Sequence, residues 1–180
     1  QVAALGVVVY ILALFVFMKR LPTRTNRYYL SLLVSAAASL ALDCISVTAI
    51  AMSGGADTIL NQVLDKAYAA SIQIVAFSIF CYVAYCMNDS HVIPRYGKVL
   101  SAVPLAIGVC VAPIFPSTFT YDGFYANSTN FGFCISGIVC AVYIAATVAV
   151  TLKFRTRVSK YAVGAFITAS ALEFFSAVFQ

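Results

Sequence analysis

The stretch YYLSLLVSAAASLALDCISVTAIAM, residues 28–52, decides the fold of this chain. It carries one charged side chain, Asp43, and it exceeds the roughly 20 apolar residues that cross a bilayer as a helix. Lipid offers no hydrogen-bond partner to a peptide group, so a segment of this kind is stable there as an α-helix. The stretch therefore predicts a transmembrane helix.

The rest of the chain repeats this pattern. Of its 180 residues 63% are hydrophobic and 9% charged, with mean hydropathy +0.97, whereas soluble domains carry about 25% charged residues. The predicted spans are residues 2–18, 28–52, 59–87, 99–115, 131–152 and 161–179. The fold class predicted is all-α, a polytopic integral membrane helical bundle in which residues 1–180 form one transmembrane domain. A soluble enzyme, a disulfide-stapled secreted domain and a nucleic-acid binder are excluded.

Basic residues set the predicted orientation, because Lys and Arg concentrate in short cytoplasmic loops. Loops 19–27, 88–98 and 153–160 hold ten of the eleven Lys and Arg residues, while loops 53–58 and 116–130 hold none. We therefore expect a multi-pass membrane protein with its N-terminus outside, and such a chain ends outside after six spans.

Small residues predict how the spans pack. Serines recur every four residues on the second span and lead to Asp43, and Gly132, Ser136 and Cys140 repeat this spacing on the fifth span. Such seams allow close helix contact in membranes. The first span offers almost no polar side chain, so we expect it at the edge of the bundle.

Ionisable side chains within spans are costly and usually functional. The predicted ligand-binding residues, in a pocket open to the outside, are Asp43, Asp65, Lys66, Gln73 and Glu173. In this hypothesis a small molecule binds at the outer face, and Lys66 compensates at least one carboxylate. In the alternative, Asp65 and Lys66 lie at the interface with snorkelling side chains, and Asp43 is a structural hydrogen-bonding residue between helices.

The outer loop 116–130 contains two short runs rich in Thr and aromatic residues around Asp122-Gly123, which predicts a β-hairpin. We expect it to form an aromatic lid over the pocket. The predicted lid residues are Phe119, Tyr121, Phe124 and Tyr125. In the alternative these rings merely sit among the lipid headgroups.

The sequence gives no reason to propose catalysis, a metal or a cofactor. Its six cysteines lie in apolar runs without C-x-x-C spacing, and its one histidine, His91, lies in a predicted cytoplasmic loop. No phosphate-binding glycine loop, H-E-x-x-H or G-x-S-x-G motif is present. No catalytic residue is therefore predicted.

Several segments resemble the membrane input modules of bacterial signalling proteins. They are FMKRLPT at 17–23, NR at 26–27, LDCIS at 42–46, LN at 60–61 with Tyr68, FTYDGFY at 119–125 and KFRTR at 153–157. In that family a sensor of usually seven spans precedes a cytoplasmic output domain, most often a GGDEF diguanylate cyclase and sometimes an EAL- or HD-type phosphodiesterase. The resemblance implies a sensor whose output enzyme lies beyond residue 180, and Asp43 matches the family's recurrent acid.

Two other classes stay open. A six-helix transport subunit, such as the substrate-binding component of a vitamin uptake system, has similar length, but that class usually places both termini inside. A scaffold subunit would have tight packing and no ligand. For the sensor, the expected partners are the bilayer, a small-molecule ligand and a second copy in a homodimer, and no nucleic acid is expected.

Overall fold

The computed structural model describes residues 2–17, 24–87, 95–123 and 126–154. The elements in chain order are α1 (Val2–Phe17), α2 (Arg24–Met52), α3 (Ile59–Met87), α4 (Arg95–Val111), a 3-10 turn (Ala112–Ile114), β1 (Thr118–Tyr121), β2 (Ala126–Thr129) and α5 (Phe131–Lys153). The described chain is thus mostly helical, with one two-stranded hairpin between α4 and α5.

Three helices, α2, α3 and α5, are long and apolar enough to cross a membrane. The predicted bounds 59–87 coincide with α3, α2 begins four residues before the predicted 28–52, and α5 ends one residue after the predicted 131–152. The predictions of a mostly helical chain and of three helices long and apolar enough to cross a membrane are confirmed. Spans 2–18 and 99–115 correspond to shorter apolar helices, span 161–179 lies outside the described residues, and six spans stay a prediction.

The fourth predicted span, 99–115, extends past the end of the α-helix. Helix α4 ends at Val111 and continues as the 3-10 turn, and Phe115 is extended, with φ −85° and ψ 133°. Proline disfavours helical backbone in the residue before it, and here Pro113 and Pro116 follow in quick succession. The two prolines therefore stop the helix before the apolar run stops.

Helix α3 lies between α2 on one side and α4 and α5 on the other. The α5 face toward it is buried along its length, at Gly132, Ser136, Val139, Cys140, Tyr143, Thr147 and Thr151. This confirms that the small-residue seam of the fifth span is a packing face. Helix α1 has no buried residue and packs on α2, where the Phe15 and Tyr29 rings lie 5.0 Å apart, which is the edge position expected from its sequence.

A tyrosine of α5 supplies hydrogen bonds to two backbone groups of α4. Pro104 lies within α4 and cannot donate a helical hydrogen bond. Next to it, the Tyr143 hydroxyl donates to the Ser101 carbonyl at 2.7 Å and accepts from the Leu105 N–H at 3.0 Å. One buried hydroxyl thus links a donor and an acceptor four residues apart and joins α4 to α5.

The predicted hairpin is present. Strands β1 and β2 pair antiparallel from Thr118 opposite Thr129 to Tyr121 opposite Ala126, and Gly123 between them has φ +92°. The second strand is ANST at 126–129, and of the predicted second run Ala126 lies in it, whereas Phe124 and Tyr125 lie outside the described residues.

The hairpin lies against the turn between α2 and α3. Gly55 has φ +80°, and a Cβ built there would lie 3.0 Å from the Tyr121 backbone nitrogen. Glycine thus satisfies both a positive φ and a close approach of β1 at this position. As a result, the loops 53–58 and 116–130 meet at one end of the bundle.

We predict that Tyr143→Phe lowers the free energy of unfolding by about 1–3 kcal/mol, because it removes the buried hydroxyl that pairs Ser101 and Leu105. The measurement is reversible unfolding of the purified protein by SDS in mixed micelles. Tyr10→Phe is the matched control, since Tyr10 on α1 is 63% exposed. Equal stability of the two variants would contradict the role given to Tyr143.

Candidate functional site at the hairpin

Asp65 lies in the second turn of α3 and is 1% exposed. The Ser117 hydroxyl donates to its Oδ2, the Ser128 hydroxyl donates to its Oδ1 at 2.6 Å, and the Asn130 amide lies 3.5 Å from Oδ2. These three donors are neutral and come from one segment of chain. They stabilise the buried carboxylate by hydrogen bonding rather than by an opposite charge.

Asn130 connects this cluster to the start of α5. Its Oδ1 accepts from the Gly132 N–H at 2.5 Å as the N-cap of the helix, while its Nδ2 donates to the Ser117 hydroxyl at 2.8 Å. One amide side chain therefore holds the first turn of α5 and the residue before β1 together. Both ends of the hairpin and the start of α5 are fixed around Asp65.

Gln62, also on α3, holds the backbone of Ser117. Its Nε2 donates to the Ser117 carbonyl at 2.7 Å, and its Oε1 accepts from the Ser117 N–H at 3.2 Å. The same Nε2 lies 2.7 Å from Oδ1 of Asp57, an exposed residue in the turn before α3. Ser117 is thus bound to α3 through both its backbone and its side chain.

Asn61 fixes the turn between α2 and α3. Its Nδ2 donates to the Ser53 hydroxyl and to the Ala56 carbonyl, each at 2.8 Å. Its side chain is 1% exposed, and its Oδ1 has no hydrogen-bond partner.

Asp43 lies between α2 and α3. It is buried on α2 and hydrogen-bonds the Tyr68 hydroxyl, and Ser71 donates to Ser39 across the same seam at 3.0 Å. The Tyr68 ring in turn lies 6.2 Å from the Phe133 ring of α5. In the structure Asp43 makes a contact between α2 and α3, of the kind described above as the alternative to ligand binding.

Gln73 extends the polar contacts into the bundle. It is fully buried, its Nε2 donates to the Ser136 hydroxyl at 2.7 Å, and Ser136 donates to the Gly132 carbonyl at 3.0 Å. Gln73 Oε1 has no partner and lies so near Gly108 that a Cβ there would overlap it. A chain of polar contacts therefore runs from Asp65 through Asn130, Gly132 and Ser136 to Gln73.

The predicted site residues contact different elements. Asp65 is bonded to the hairpin and Asn130, Gln73 is bonded to Ser136 of α5, Asp43 lies on α2, and Lys66 is partly exposed. Of the lid residues, Phe119 is partly buried, and Tyr121 is exposed with its hydroxyl donating to the Gly123 carbonyl at 3.1 Å. The predicted residues that lie outside the described part are Glu173, Phe124 and Tyr125.

The structure adds residues that the sequence analysis missed. Ser117, Ser128 and Gln62 have no pattern in the sequence that ties them to Asp65, because their roles depend on how the hairpin docks. Asn130 had a usable signal, since Asn directly before an apolar run is typical of a helix N-cap. Within the described ranges, no group of three or more His, Cys, Asp or Glu side chains could hold a metal ion.

Comparison of the chain with models of known protein families, with curated proteins and with solved structures finds no match. The candidate site is therefore defined by its geometry. It consists of a buried carboxylate on a membrane helix that fastens a surface hairpin to the bundle.

We predict that Asp65→Asn accelerates hydrogen exchange of the hairpin amides by about tenfold or more. The substitution replaces charge-assisted hydrogen bonds, worth about 1.5–3 kcal/mol each, by weaker neutral ones. The measurement is hydrogen–deuterium exchange of peptides covering residues 118–129, read by mass spectrometry. Asp43→Asn is the control, since it changes a buried acid that bonds Tyr68 rather than the hairpin, and equal protection in the two variants would contradict the role of Asp65.

Proposed function

We propose that this chain is the membrane sensor of a bacterial signal-transduction protein of the cytoplasmic membrane. The observation that carries the proposal is the buried polar connection between the hairpin and the α3–α5 contact, which begins at Asp65. A buried charge within a membrane helix is costly, and it is usually retained for function. Here the charge connects an exposed element to the packing of two long helices.

The proposed topology has six spans, with the N-terminus and the hairpin outside. Two observations support it. The loops 53–58 and 116–130, which lack Lys and Arg, meet at one end of the bundle through Gly55 and Tyr121. At the other end of α2 and α3, the Tyr28 and Tyr85 rings lie 4.8 Å apart and the Tyr29 and Tyr82 rings 5.5 Å apart, and aromatic belts mark membrane interfaces.

In the proposed mechanism, an external small molecule or a membrane state changes the hydrogen bonds around Asp65. The change reaches Ser136 and Gln73 through Asn130 and the first turn of α5, and it favours one of two packings of α3 against α5. A seventh span after residue 180 passes this difference to a cytoplasmic output domain, which we propose to be a diguanylate cyclase working as a homodimer. The two packings of α3 against α5 are then in equilibrium, and the ligand shifts this equilibrium toward one of them.

Labelling in intact cells tests the topology. We expect Thr120→Cys, at an exposed position of β1, to react with a membrane-impermeant maleimide before permeabilisation. The unsubstituted chain is the control, because it shows how much its native cysteines are labelled. In a transport subunit with both termini inside, the hairpin would be cytoplasmic, so labelling of Thr120→Cys only after permeabilisation would contradict the sensor topology.

The reading frame beyond residue 180 tests the function. We expect a seventh apolar span followed by a GGDEF-type domain, and we expect Asp65→Asn to change cellular cyclic di-GMP about 5-fold or more at equal protein level, the lower end of typical allosteric coupling. Tyr10→Phe, at an exposed position of α1, should leave the level unchanged. A stop codon within a few residues, or an output that Asp65→Asn does not alter, would contradict the proposal.

A further inference from the structure

Asn61 has an oxygen atom that nothing in the described structure satisfies. The orientation of its amide is fixed, because Nδ2 faces the Ala56 carbonyl, which can only accept a hydrogen bond. The Oδ1 atom on the other side is buried and has no partner. A buried acceptor without a donor is strongly unfavourable, so a species outside the chain is expected to complete it.

The surroundings of Asn61 are electrically negative. Asp65 follows one helical turn later on the same face, where side chains four residues apart are neighbours, and its carboxylate is bonded to neutral donors. Helix α2 also ends at Met52, beside this turn, and its last turn contains no basic residue. The negative end of a helix dipole favours a cation.

We propose that one Na⁺ ion binds between the α2–α3 turn and the second turn of α3, with Asn61 Oδ1 and the Asp65 carboxylate as ligands. Oxygen atoms are the ligands that small hard cations prefer. A monovalent ion neutralises the single buried carboxylate, whereas a divalent ion would leave a net positive charge buried. Helix ends and carbonyl oxygens within membrane bundles are suited to binding Na⁺.

The other unpartnered oxygen, Gln73 Oε1, does not provide such a site. It lies against Gly108 without room even for a methyl group, and its amide is bonded to the neutral Ser136. A buried water could also donate to Asn61 Oδ1, but it would not make stability depend on the cation present. The Na⁺ proposal goes beyond the sensor function and does not depend on it.

Thermal unfolding of the purified chain in detergent, at constant ionic strength, tests the proposal. We expect NaCl to raise the unfolding midpoint by about 4 °C or more relative to choline chloride, because an ion that binds the folded state stabilises it, and we expect a smaller rise with KCl. Asp65→Asn and Asn61→Ala should each lose the response to Na⁺. Asp122→Asn, which removes an exposed acid in the loop between the strands, should keep it.

The two variants Asp65→Asn and Asn61→Ala separate loss of Na⁺ binding from loss of folding, because Asn61→Ala leaves Asp65 and its three hydrogen-bond donors intact. Equal midpoints in NaCl and choline chloride would overturn the proposal in favour of a water at Asn61. An equal rise in KCl, a rise only with CaCl₂, or a Na⁺ response that persists in both variants would also overturn it. None of these results depends on an output domain, so they are separate from the test of the sensor function.

Discussion

The Asp65 carboxylate is the interaction on which the hairpin end of the bundle depends. A two-stranded hairpin is at best marginally stable by itself, and this one consists of four cross-strand pairs. Its attachment to α3 comes from Ser117 on one side and from Ser128 and Asn130 on the other. The dependence is mutual, because a carboxylate at 1% exposure is stable as an anion only when such donors surround it.

The same arrangement explains why α3 is central. Its two faces carry different polar contacts: Asn61 and Tyr68 toward the turn and helix that precede it, and Gln62 and Gln73 toward the segments that follow α4. Within a bilayer such groups have no water to bond, so they hold the helices in one register. A chain of hydrogen bonds thus connects the hairpin to the packing of the helices, and the proposed sensor function would use this connection.

The helices were predictable because their signal is local. The apolar run at 59–87 matches α3, and the Gly132, Ser136 and Cys140 spacing gave the buried face of α5. The hairpin was predictable from Asp122-Gly123, but its register was not, since ANST at 126–129 contains one β-branched residue, Thr129, and no aromatic residue. Position 128 binds Asp65 only because of that register.

The hydrogen bonds of Tyr143 and Asp65 join residues that are distant in sequence, so no local sequence pattern predicts them. The hydroxyl of Tyr143 is paired with backbone groups of α4 about 40 positions earlier, and the Asp65 donors lie 52 to 65 positions after it. Sequence analysis therefore identified Asp65 as an unusual residue but not its partners, which are Ser117, Ser128 and Asn130, whereas Asp43 bonds Tyr68.

A double-mutant cycle between Asp65→Ala and Ser128→Ala, measured as unfolding free energies in mixed micelles, tests the central claim most directly. The coupling energy isolates the contact between the two side chains from their separate effects. The account predicts a favourable coupling of about 1–3 kcal/mol, as for a buried hydrogen bond to a charged group. Additive effects of the two substitutions would show that the carboxylate does not hold the hairpin.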